Sequence, residues 1–211
     1  MADDWRSRWE EMKTYLPSYL SPADQKQLFD QLSTFESKSS EYYTSMDLEI
    51  SSGIKQGDAI PGISYVTLPI TQPKKTNVIV FSNTCDIAVE NKRYYPTKVM
   101  YAPIIKLSLF RAKVLEKSFP DDSARVESIL ETIRMQRKTD IFYLPPPPGK
   151  DDEYIVFLDS VCSSTMGAFY EEADQSEEKE FTFSQLGHYL FLLKLSIHFS
   201  RFGEGACRSA A

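Results

Sequence analysis

Histidine, cysteine and long apolar runs are scarce in this chain. Its 211 residues hold two histidines and three cysteines, Cys85, Cys162 and Cys207. The cysteines are odd in number, far apart and without a CxxC pair. That excludes a disulfide framework and a cysteine-ligated zinc site, and fits a reducing compartment. Both histidines, His188 and His198, fall on one predicted helix, so no metal site and no cofactor is expected. No run of aliphatic and aromatic residues is longer than Tyr189 to Leu193, far too short to span a bilayer, so no membrane association is expected. The first residues are acidic and tryptophan-bearing rather than basic and then apolar, so no secretory signal is read there. By elimination the protein is expected in the cytoplasm. An excess of basic residues is also missing. Lys and Arg number 24 against 30 Asp and Glu, a formal net charge of −6, which argues against a general duplex-coating protein but leaves room for a local basic site.

The rest of the composition is ordinary. Hydrophobic residues make up 42% and charged residues 26%, enough for a core that needs no metal or disulfide staple. Trp5, Trp9, Met12 and Leu16 stand at helical spacing behind Asp3 and Asp4. Ser21-Pro22-Ala23-Asp24 then reads as a helix start, with Leu28, Phe29, Leu32 and Phe35 as its apolar face. The polar, Ser-rich stretch 36–45 is read as a linker. Residues 1–45 are therefore expected to be a helical arm with its linker, and 46–211 the main domain.

From Gly57 the period changes. Residues 57–70, 77–82 and 98–107 are rich in Val, Ile and Tyr and read as strands, as do 140–144 and 154–161. A helix opens at Asp121-Asp122-Ser123 and carries Val126, Ile129, Leu130 and Ile133 on one face, with Arg134, Arg137 and Lys138 at its end. The acidic run 171–180 reads as a solvated loop. Thr182 and Gln185 form a capping-box pattern before an apolar helix over 186–199, which calls for cover on several sides. The expected fold class is α+β: a small, strongly bent antiparallel β-barrel with an inserted helix, an N-terminal helical arm and a C-terminal apolar helix.

The run NVIVFSNTCDI, 77–87, is the most distinctive. A buried strand ends in Ser82, Asn83, Thr84, Cys85 and Asp86, at the kind of strand exit where rigid scaffolds present chemistry. A carboxylate beside a thiol works against the thiolate, and no histidine is near in sequence to act as base. A turn with side-chain-to-backbone bonds explains the cluster equally well. Lys74, Lys75, Lys92 and Arg93 flank this strand, with Tyr94 and Tyr95 beside them. Cations for phosphate and rings for stacking suit a single-stranded nucleic acid.

In order, QGDAI (56–60), KKTNVIVFSNT (74–84), YYPTKVMYAPII (94–105), EYIVFLDSV (153–161) and the helix from Ser184 resemble the PemK/MazF-like family of SH3-like barrels. That family includes endoribonuclease toxins of bacterial toxin–antitoxin pairs. The resemblance covers residues 56–202 at the level of element order. It implies a metal-independent endoribonuclease on single-stranded RNA, with Thr97 in the place of the catalytic threonine and Ser82, Lys75 and Asp86 beside it. Lys74, Arg93, Tyr94 and Tyr95 would hold the strand. The family's arginine before the buried strand is replaced by Thr76, and a lysine nearby does not reproduce a guanidinium fork. A second reading stays open beside the first: a non-catalytic protein-interaction module on a degenerate barrel. A protein partner, an antitoxin or a second copy of the chain are the partners these readings allow.

Overall fold

In the computed structural model, residues 41–199 are described, apart from Asp47 and Lys92. The helical patterns of residues 1–40, together with Cys207, lie outside the described residues.

The strands are β1 (Tyr43–Thr44), β2 (Ala59–Thr67), β3 (Ile70–Val80), β4 (Lys98–Lys106), β5 (Ile141–Leu144), β6 (Tyr154–Phe157), β7 (Cys162–Thr165) and β8 (Thr182–Phe183). The helices are α1 (Thr84–Ile87), α2 (Leu107–Phe110), α3 (Glu116–Ser118), α4 (Ser123–Arg134), α5 (Met166–Ala173) and α6 (Gln185–Phe199). A π-turn, Arg111–Leu115, joins α2 to α3.

β4 organises the main sheet. One of its edges pairs with β3, Val78 opposite Pro103 and Val80 opposite Tyr101. Its other edge takes β7 along the first half, Lys98 opposite Thr165, and β6 along the second half, Ile104 opposite Val156. The order is β2-β3-β4-β6-β5 with β7 beside β4, every pairing antiparallel. Tyr101 to Ile104 face inward on both sides, the pattern of a central strand with both faces covered. The expectation of an antiparallel sheet holds. The closed barrel does not: β2 and β7 share no ladder among the described residues. The sheet curls until Cys162 Sγ donates to the Val66 carbonyl at 3.1 Å and the Tyr101 hydroxyl donates to the Ser64 carbonyl at 2.7 Å. On that edge the Ser64 amide donates to Glu172 at 2.6 Å.

Three cores follow from this curl. The first lies under α6, whose Leu186, Leu190, Phe191 and Leu193 meet Ile79, Phe81, Ala102, Phe142 and Leu158. Tyr42 and Tyr43, in the expected linker, are buried in this core. The second lies inside the curl, where Ile60, Ile63, Val78, Val80, Val99 and Tyr101 close on Phe169 and Ala173 of α5. The third holds Val126, Leu130 and Ile133 of α4 against Ile141 and Ile155. Asp122 caps α4 by accepting from the Arg125 amide at 2.9 Å. Ser184, not Thr182, caps α6, its hydroxyl oxygen accepting from the Gly187 amide at 3.2 Å. Thr182 is buried in β8 and directed elsewhere. Gly187 must lack a side chain, because a Cβ there would lie 2.2 Å from the Tyr42 carbonyl oxygen. Among the described residues no helix is long and apolar enough to cross a membrane.

Candidate functional site

The strand exit at Ser82 becomes a loop over 83–97 between β3 and β4. Ser82 is buried, and its hydroxyl oxygen accepts from the Met100 amide at 2.8 Å. Asn83 caps the single turn of α1 by accepting from the Cys85 amide at 2.9 Å. The Thr84 hydroxyl oxygen accepts from the Gln56 amide at 3.0 Å, and the Gln56 side chain donates to the Phe81 carbonyl at 2.7 Å. Three of the five small polar side chains are therefore spent on backbone. Cys85 is exposed, and its carbonyl accepts from the Asn91 side chain at 2.6 Å.

Asp86 and Arg93 form an ion pair across the loop. Hydrogen bonding to Tyr95, then the Asp86 carboxylate, hold the Arg93 guanidinium more firmly protonated than usual. Tyr94 is fully exposed and Tyr95 is 65% exposed. Lys98, one residue past Thr97, is exposed at the start of β4. Arg93, Tyr94 and Tyr95 thus form the exposed rim of the loop, and Lys98 follows in the chain where β4 begins. Lys92 lies outside the described residues.

The other residues implied by the resemblance are elsewhere. Thr97 is half-buried, and its carbonyl accepts from the Met166 amide at 3.0 Å, which places it at the start of α5. Lys75 lies on the projecting β2–β3 arm and meets Glu172 at 3.4 Å, nearer the other end of α5, about 9 Å further along at helical rise. Burial works against the Glu172 carboxylate, yet bonds from the Ser64 amide and hydroxyl at 2.6 and 2.5 Å, with Lys75, hold it below the usual carboxylate range. Lys74 is exposed opposite Tyr65 on the same arm. Thr97 and Lys75 thus meet opposite ends of α5, while Ser82 is bonded to the Met100 amide and Asp86 is paired with Arg93.

The most densely bonded polar group was not legible as such. Lys179, inside the acidic run, is buried against Asp58, their side chains 0% and 1% exposed and 2.8 Å apart. Lys179 also donates to the Gly53 carbonyl at 2.7 Å. Asp58 accepts from the Lys55 amide at 2.8 Å and the Thr182 hydroxyl at 3.1 Å. Desolvation pushes the Asp58 carboxyl up, while Lys179, the Lys55 amide and Thr182 pull it back. Every oxygen is committed to the fold, so this is a clamp rather than a reactive pair. The one available signal was the Gly-Asp in QGDAI.

Two further clusters came from no sequence argument. Arg134 grips Glu153 with two bonds of 2.7 Å, and the Tyr143 hydroxyl donates to the same carboxylate at 2.6 Å. Lys194 is buried on α6, where desolvation lowers its pKa to about 8, and it donates to the Gln136 carbonyl at 2.5 Å. Among the described residues no group of three or more His, Cys, Asp or Glu side chains is placed to hold a metal ion. In comparisons with known proteins, no family model matches the chain, and no curated protein matches it.

Proposed function

We propose that the protein is a non-catalytic interaction module that meets a protein partner through the loop 83–97. One observation carries this: Tyr94 and Tyr95 stand in solvent beside an Arg93 already oriented by Asp86 and Tyr95. Ser82 and Thr84 are bonded to backbone, Asp86 is held by Arg93, and Lys75 is held by Glu172. Tyrosine and arginine are the residue types that dominate binding energy at protein interfaces, and a preformed guanidinium loses less freedom on binding. On the resemblance to the PemK/MazF-like family, the module would be a degenerate member that kept the strand order and lost the arginine.

The second reading is single-stranded RNA on the same rim, favoured by two exposed rings next to the exposed Lys98. The carboxylate resting on Arg93 and the net charge of −6 weigh against it. The experiment compares the wild type with a Tyr94→Ala/Tyr95→Ala variant in affinity capture from the source cells, beside fluorescence anisotropy on a labelled single-stranded RNA. A protein recovered by the wild type and lost by the variant supports the module. RNA binding that falls with the variant and with added salt supports the second reading, and RNA cleavage by the wild type overturns the non-catalytic one.

A further inference from the structure

The side of α6 turned away from Leu186 and Leu193 carries His188, Leu192, Leu195 and Phe199 at i, i+4, i+7 and i+11, the spacing of a helix–helix seam, with Leu195 at the edge of the first core. The opposite side is the one buried in the first core through Leu186, Leu190 and Leu193. Phe199 is 64% exposed. Leu192 is half-buried, yet it belongs to none of the three cores among the described residues. His188 Nε2 is out of water with no hydrogen-bond partner among the described residues. A face of this kind has an occupant.

We propose that residues 5–16 of the same chain dock along this seam, in cis. Trp5, Trp9, Met12 and Leu16 repeat the seam spacing residue for residue: i, i+4, i+7, i+11. The place where the N-terminal segment joins the described residues supports the same occupant. The Glu41 carbonyl accepts from the Ser184 hydroxyl, the Tyr42 carbonyl accepts from the Ser184 amide at 2.8 Å, and Gly187 makes room for that carbonyl. The segment therefore departs from the first turn of α6 itself. Residues 17–40 lie between the two, a reach well beyond the ~22 Å length of α6. An indole N–H is a donor, which is what a buried, neutral imidazole nitrogen lacks at His188.

The chain contains two tryptophans, Trp5 and Trp9, both in the proposed segment, so emission excited selectively at tryptophan reports on that segment. The expected result is blue-shifted emission, protected from acrylamide, that does not change as the protein is diluted. Leu192→Asp should shift emission to the red and raise quenching severalfold while far-UV circular dichroism of the fold is kept. Water-like emission in the wild type overturns the proposal, and so does an unchanged emission in Leu192→Asp. Protection lost on dilution also overturns it, because the occupant would then be a second copy. If Leu192→Asp does not fold, Phe199→Ser at the exposed end of the seam gives the same reading, with a red shift expected and unchanged emission overturning.

Discussion

The loop 83–97 and the run 171–180 exchange roles between sequence and structure. The loop gathers small polar and reactive side chains, and most of them serve its own backbone. The acidic run has the composition of a solvated loop, yet it stitches the fold. Glu172 pins the β2–β3 arm through Ser64, and Lys179 enters the interior to meet Asp58. Glu180 accepts from the Asn77 side chain at 2.6 Å and pairs with Lys150. Composition describes the average of a segment, whereas burial is decided one side chain at a time. The two regions are also joined. Lys55 and Gln56, adjacent in the chain, hold Asp58 and Thr84 respectively, so the clamp sets the position from which the loop departs.

The largest expected effect breaks the clamp. Lys179→Met leaves the Asp58 carboxylate buried with two neutral donors, and removing one partner of a buried pair costs about 3–5 kcal/mol. Urea unfolding of the two proteins at neutral pH measures it. A loss below about 1 kcal/mol would mean that Asp58 is protonated or hydrated in the native state, and the contrast between the two regions would weaken.

Lys194 sharpens the same contrast, because it is a buried lysine that contacts a carbonyl rather than a carboxylate. Its folded pKa, about 8, lies below the ordinary lysine value. Between those two values the unfolded chain binds more protons than the folded one, so the Lys194 contribution to stability rises with pH across that window. At pH 7 the charged form carries a penalty of about 3 kcal/mol relative to an unshifted lysine. Lys194→Met should therefore stabilise the protein near neutral pH, and the gain should shrink as the pH climbs from about 8 to about 10. Thermal unfolding at a series of pH values tests it, and a gain independent of pH would place the proton elsewhere.

Legibility in the sequence follows from the same physics. β4, β6 and α6 were readable because their apolar density reflects burial on both faces or on most sides. β3 is longer than expected, since its first half is an exposed arm whose Thr71-Gln72-Pro73-Lys74-Lys75 gives no apolar signal. β7 was missed because its inward side chains are Cys162 and Ser164, small and polar enough to pass for a turn. α5 went unread for a related reason: only Phe169 and Ala173 of its eight residues are buried. In the loop, Tyr94 and Tyr95, read as stacking rings, are exposed. The separation of Thr97 from Lys75 along α5 was not legible, because it depends on how the sheet curls around that helix.

The smallest effects separate the members of the loop from one another. Ser82→Ala removes the acceptor of the part-buried Met100 amide, beside the Phe81 and Ser82 amides that bond the Met100 carbonyl. Losing one such hydrogen bond costs about 1 kcal/mol, so this variant should unfold at a lower denaturant midpoint by that stability. Asp86→Asn acts on an exposed side chain whose partner Arg93 stays bonded to Tyr95. Its midpoint should match the wild type within error, because a surface pair in water is screened and holds two long side chains at an entropic expense. The same substitution frees a positive charge on the rim beside Tyr94. Under the protein-partner reading, binding should weaken as the guanidinium loses its fixed orientation. Under the RNA reading, binding should tighten as a repelling carboxylate disappears. A single variant that leaves stability alone therefore gives the two readings opposite signs, measured by the same anisotropy and capture assays.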